Sequence, residues 1–179
     1  IPKGIQLTIK PGSIIRFKGY TNLKCEGSIV AKGTSDSLIV FTMAELEKGK
    51  ISGMDFGTQS NVIEYAKFFN INFSGYEGSF KGGEFRNCIL CHSDMTGFIG
   101  TSMKFTTIMH NDGVRFISNL EYTNIINNKG SYAAAVNLDY LPIDKMKYCN
   151  SFSNISTNGH VGKPYSATYI RDKVLVYKS

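Results

Sequence analysis

A repeat near 20 residues constrains this chain more than any other feature. Five aromatic residues, Phe68, Phe85, Phe105, Tyr122 and Tyr148, anchor the segments FFNINFSG, FRNCILCH, FTTIMHND, YTNIINNK and YCNSFSNI, spaced by 17, 20, 17 and 26 residues. Two places after the anchors stand Asn70, Asn87, Thr107, Asn124 and Asn150. Six places after them stand Ser74, Cys91, Asn111, Asn128 and Asn154. A unit this short cannot bury an apolar face alone, so successive units must stack. If the units are strands and turns, they stack about 4.8 Å apart. The aromatic anchors are then expected as one column inside the coil, burying large areas. The Asn column is expected at a corner, where Asn tolerates the left-handed conformation and its amide bonds to the units above and below. A β-sandwich also has short strands, but nothing in it fixes Asn at one offset in five successive units.

The N-terminal stretch LTIKPGSIIRFKG, Leu7 to Gly19, has the same grammar. Leu7, Ile9, Ile15 and Phe17 alternate with Thr8 and Arg16, the period of half-buried strands. Pro11 and Gly12 between them suit a type II turn, which bends the chain without closing a tight hairpin. Short strands at 23–25, 29–31 and 39–41 follow, with turns at Gly27 and between Gly33 and Ser37. The 18 Gly, the plentiful Asn and the scarcity of helix formers also favour an all-β protein. At 179 residues and 42% hydrophobic, one continuous core is expected, a single domain over residues 1–179. About seven or eight coils fit that length, a rod on the order of 35 Å. Residues 158–179, which include KPYSATYIRDKVLVYKS, leave the repeat and read as a terminal coil or cap. AELEKGK, Ala44 to Lys50, reads as a solvated excursion from a corner.

These segments resemble a known family. LTIKPGSIIRFKG, continuing through GSIVAKGTSDSLIVFT, resembles the opening coils of right-handed parallel β-helix domains, the pectate-lyase-like group of secreted and surface bacterial proteins. ISGMDFGTQSNVIEYAKF resembles the next part of that pattern, and Asn124 to Asn128 its later coils. The similarity covers most of residues 5 to 157. It implies the fold, but such domains host lyases, hydrolases, epimerases, adhesins and phage proteins alike.

By the same resemblance, lyases of this group hold calcium with clustered carboxylates and use an Arg or Lys base. Here Asp94, Asp112, Asp139 and Asp144 are scattered, and no column gathers three of them. Nor do the columns offer the facing carboxylate pair a glycosidase needs. One polar column remains, seven places after the anchors: His92, Asp112 and Lys129, in which a His beside an Asp would act as general base. His110, five places after its anchor, falls with Leu90 and Asn127. FKGGEF lacks the following helix of a phosphate loop. Cys25, Cys88, Cys91 and Cys149 lack zinc spacing, and the lone C-x-x-C of Cys88 and Cys91 reads as buried thiols.

The formal charge of +6 comes from basic residues without a run of five, a diffuse positive field. No stretch of 18 apolar residues would span a membrane. The start at Ile1 reads as a mature or trimmed chain. The expectation is a non-catalytic, secreted or cell-surface module, structural or glycan-binding, belonging to a larger protein or assembly. Its expected ligand is an acidic polysaccharide, with no cofactor, metal or nucleic acid implied. The alternative is a polysaccharide lyase or glycoside hydrolase domain acting on such a polymer.

Overall fold

The computed structural model describes residues 1–18, 21–43, 53–55, 61–71, 80–81, 83–93, 98–99, 101–112, 117–130, 146–152, 155–156 and 175–176, and these residues contain strands and no helix. One sheet is ordered β1 (Gln6–Ile9), β4 (Ser28–Lys32), β7 (Val62–Glu64), β10 (Glu84–Arg86), β13 (Thr101–Lys104), β15 (Ile117–Glu121) and β18 (Met146–Lys147). A second is ordered β2 (Ile14–Phe17), β5 (Ile39–Met43), β8 (Ala66–Phe69), β11 (Ile89–Cys91), β14 (Thr107–Met109), β16 (Asn124–Ile126), β19 (Asn150–Phe152) and β21 (Leu175–Val176). A third joins β3 (Asn22–Lys24), β6 (Gly53–Asp55), β9 (Phe80–Lys81) and β12 (Phe98–Ile99), and β17 (Lys129–Gly130) pairs with β20 (Ile155–Ser156). The pairings are parallel, and each strand lies against its counterpart one level on. This all-β arrangement of parallel sheets is consistent with a β-solenoid.

The opening stretch is a corner between two sheets. Gly12 sits at φ 77°, and the Ser13 N–H donates to the Lys10 carbonyl at 3.2 Å, so β1 and β2 leave the turn in different sheets. Alternation then decides which side chains meet. Ala31, Ile63, Phe85, Met103 and Leu120 follow one another inward on the first sheet. Phe41, Phe68, Leu90, Ile108 and Ile125 do so on the second. All ten are at most 1% exposed, and burying a side chain of this size contributes roughly 1.5–3 kcal/mol.

The single aromatic column expected from the sequence is split. Phe68 and Phe85 are core residues of different sheets, their rings tilted 5.5 Å apart, and Phe68 stacks on Phe41 at 4.7 Å. Phe105, Tyr122 and Tyr148 instead stand outside at a corner, 50, 42 and 39% exposed. Aromatic type was matched where place in the level mattered, and the Asn column splits with it. Thr107, Asn124 and Asn150 are register partners on the second sheet, but their level neighbours are Ile89 and Lys67 rather than Asn87 and Asn70. Asn87 and Asn70 occupy two different corners, at φ 52° and 53°.

A buried polar ladder does exist, at the level positions of Ile71, Ser93, Asn111 and Asn128. The Asn128 Oδ1 accepts from the Asn111 N–H and Nδ2, both at 3.0 Å, while its own Nδ2 donates to the Ile108 carbonyl at 3.0 Å. One level earlier, the Asn111 Oδ1 accepts from the Ser93 N–H at 3.1 Å and its Nδ2 donates to the Leu90 carbonyl at 2.9 Å. The Ser93 hydroxyl in turn accepts from the Ile71 N–H at 3.1 Å and donates to the Cys91 carbonyl at 2.9 Å. Ser74 and Asn154 lie outside the described residues, as do Asp94, Asp139, Asp144, Ala44 to Lys50 and most of 158–179. From that last region Leu175 and Val176 extend the second sheet against Asn150 and Ser151.

Asn128→Ala would orphan two donors and a carbonyl in the interior, so it is expected to destabilise by about 3 kcal/mol. Asn124 differs, because its amide meets Asn150 at 2.9 Å on the outer face, and Asn124→Ala should lose less than about 1 kcal/mol. Urea unfolding of the two variants together checks this, and equal midpoints would refute the buried ladder's role.

Candidate functional site

Two corners carry the outward-facing functional groups, and both are built from left-handed residues. The first holds Tyr65, Asn87, Phe105, Tyr122 and Tyr148 at φ between 48° and 54°. The first four N–H groups donate to a carbonyl one level on: Tyr65 to Arg86 at 3.0 Å, Asn87 to Lys104 at 3.1 Å, Phe105 to Glu121 at 3.0 Å and Tyr122 to Lys147 at 2.9 Å. After the corner residue comes a small buried one, and in each case but Ala66 its side chain donates back to the carbonyl two residues earlier. Cys88 reaches Arg86 at 3.2 Å, Thr106 reaches Lys104 at 3.1 Å, Thr123 reaches Glu121 at 3.1 Å and Cys149 reaches Lys147 at 3.3 Å. The sequence signature is a charged residue, an aromatic or Asn, then Ala, Cys or Thr: EYA, RNC, KFT, EYT and KYC.

The charged members form a row of register partners along the outer face: Lys32, Glu64, Arg86, Lys104, Glu121 and Lys147. Glu64 lies 3.8 Å from Lys32 and 3.7 Å from Arg86, Arg86 also meets Glu84 at 2.8 Å, and Lys104 meets Glu121 at 3.0 Å. The hydrogen bond and charge of Glu84 raise the Arg86 guanidinium above its ordinary value. Beside this row the corner rings stack, Phe105 on Tyr122 at 4.9 Å and Tyr122 on Tyr148 at 4.7 Å, with the Lys104 Nζ 5.4 Å from the Phe105 ring centre. Those separations match the spacing of strands, so both faces of Tyr122 and one face each of Phe105 and Tyr148 are covered by a neighbouring ring.

The second corner holds Asn70, His92, His110 and Asn127 at φ between 51° and 55°. His92 and His110 stack at 5.3 Å with 14° between their planes, and Phe69 meets His92 edge-on at 5.7 Å. This dissolves the expected row of His92, Asp112 and Lys129. Asp112 and Lys129 are indeed bridge partners on adjacent levels, 3.8 Å apart and largely exposed. His92, however, is the level partner of His110; of the two residues expected beside His110, Asn127 shares its corner, while Leu90 lies in the core. The error traces to Phe85, which stands two residues before its corner residue Asn87, so offsets counted from it land on the wrong column. Reading apolar, then Asn or His, then Ile, Ser or Asn (FNI, CHS, MHN, INN) recovers the true register.

No family model, curated protein or solved structure matches the chain. Among the described residues, no group of three or more His, Cys, Asp or Glu could hold a metal ion, and no helix is long and apolar enough to cross a membrane.

The four cysteines are buried free thiols. Burial pushes the Cys88 thiol up to about 12, with Glu64 acting in the same direction and backbone hydrogen bonds opposing. Burial also raises Cys149 and Cys91, the latter opposed by Lys67. A raised thiol is no ready nucleophile. The linkage has a definite sign. The stability that Cys88 contributes is present in full below about pH 9, where both states keep the proton. It is lost as the pH rises toward 12, because the unfolded chain ionises first, by up to roughly 1.4 kcal/mol per pH unit. Cys88→Thr places at this position the residue found at Thr106 and Thr123, so it should fold and flatten the loss. Urea midpoints between pH 8 and pH 10.5 test this, and parallel slopes for the two proteins would contradict it.

Proposed function

We propose that this chain is a non-catalytic structural module, a right-handed parallel β-helix of the pectate-lyase-like kind, secreted or displayed on a cell surface within a larger protein or assembly. One observation carries the reading: polar and aromatic side chains on the outer rows are engaged with their own counterparts one level away. Glu64 joins Lys32 to Arg86, Lys104 joins Glu121, Tyr122 joins Phe105 to Tyr148, His92 joins His110, and Asn150 joins Asn124. Catalysis asks for the opposite arrangement, groups converging on a substrate atom from different directions. Parallel rows instead tie level to level.

The same engagement shapes any contact with glycans. Sugar stacking needs an open ring face, and Tyr122 has both faces covered, so an acidic polysaccharide would be held chiefly by cations through contacts that weaken with salt.

Incubation with pectin, alginate and glycosaminoglycans, with and without calcium, should give neither unsaturated products by absorbance nor new reducing ends. Turnover that disappears in His92→Ala or Asp112→Ala would overturn the structural reading in favour of a lyase or hydrolase.

A further inference from the structure

The second corner carries two groups whose chemistry the stack leaves unused. His92 and His110 are exposed, stand on adjacent levels, and share the left-handed backbone of the corner at φ 51° and 55°. Their contact uses ring faces: the planes lie 14° from parallel with centroids 5.3 Å apart, and Phe69 meets His92 edge-on. Imidazole nitrogens point outward in the ring plane, away from such a contact. Among the described residues, neither histidine side chain makes a hydrogen bond or an ion pair. Asn70 and Asn127, the corner residues of the levels on either side, are uncharged. Nearby charges are engaged elsewhere, Lys67 over the Phe69 ring at 5.0 Å and Lys129 with Asp112 at 3.8 Å.

We propose that His92 and His110 together bind a late divalent transition-metal ion, copper(II) in preference to zinc, as a clip across two levels. Imidazole suits such ions, and copper(II) binds most tightly in the divalent series. It also accepts a tetragonal set of nitrogens and oxygens, which two imidazoles and water complete. Zinc sites draw on three or four protein ligands, and this corner supplies two. Calcium needs several converging oxygens and has no counterpart here. The reach is short. Levels stand about 4.8 Å apart, and two metal–nitrogen bonds of about 2.0–2.1 Å span roughly 3 Å at a right angle. The stacked rings are too parallel to share an ion as they stand, so each turns about its Cβ–Cγ bond to bring one nitrogen to a common point. Exposure and unbonded nitrogens leave that rotation open, at the loss of one stacking contact. Chelation belongs to the folded stack, because only registered levels hold one imidazole at a high effective concentration beside the other. The ion therefore stabilises the native state.

The test adds copper(II) to the whole chain at neutral pH and follows it by electron paramagnetic resonance and calorimetric titration. One copper should bind per chain with two equatorial imidazole nitrogens, and zinc should bind at least about 10-fold more weakly. His92→Asn and His110→Asn each install the residue that Asn70 and Asn127 already provide at this corner, so the left-handed backbone is kept. Each variant should show one imidazole and lose at least about 10-fold in affinity. His160→Asn, at the chain's remaining histidine, should change neither reading. Copper should raise the thermal midpoint of the unmodified chain and of His160→Asn but not of the two corner variants, whose folding without metal is checked by circular dichroism. A single-imidazole spectrum from the unmodified chain would overturn the inference. So would undiminished affinity in either corner variant, or a loss on His160→Asn as large as theirs.

Discussion

A chain wound into stacked parallel levels leaves backbone groups facing the interior at every corner, where neither strand ladder reaches them. Everything else in this molecule depends on how those groups are satisfied. Asn111 and Asn128 do so with a geometry no other side chain offers: an amide presents an acceptor and two donors at once, so each bonds to a backbone group of a neighbouring level, and the Asn128 oxygen takes both the main chain and the side chain of Asn111. Ser93 makes a shorter version of the same link. An orphaned group here would cost about 1–3 kcal/mol, and the penalty would recur at each level, so the ladder fixes both the spacing of levels and their register.

The corners set a second constraint. Left-handed backbone is tolerated by Asn, as at Asn70, Asn87 and Asn127, but costs other residues roughly 1–2 kcal/mol each. Tyr65, Phe105, His110 and Tyr148 adopt it nonetheless. At Phe105, Tyr122, Tyr148 and the His92–His110 pair, stacking offsets part of the strain, about 0.5–1.5 kcal/mol for each pair, because the level spacing is close to a comfortable ring separation. At these corners strain and stacking occur together, and the stacking covers both faces of Tyr122.

This pairing also explains what was legible in the sequence. The alternation in LTI and IRF placed Leu7, Ile9, Ile15 and Phe17 inward, and the abundance of Asn near a 20-residue period pointed to stacked parallel levels. Register failed at Phe68 and Phe85 because an aromatic can stand in the core or at a corner, and composition does not distinguish the two. In a strand, Phe68 gains from burial. At a corner, Tyr122 gains from its neighbours' rings. The small residue after each corner is the better marker, since Ala66, Cys88, Thr106, Thr123 and Cys149 must fit inside, and all but Ala66 must also donate to a carbonyl two residues back. The apposition of Asp112 and Lys129 was legible, because Phe105 and Tyr122 are true corner residues from which seven places can be counted. The partnership of His92 with His110 was not, because it inherited the misplacement of Phe85.

Periodic stacking also shapes how charge is placed on the outer face. Inside the stack, a charged residue has a partner above and another below, which is how Glu64 meets both Lys32 and Arg86. Opposite signs on neighbouring levels are therefore favoured, and a row tends toward neutrality. The described outer rows are thus closed by their own repetition, because the next level supplies the neighbour that each charge or ring needs.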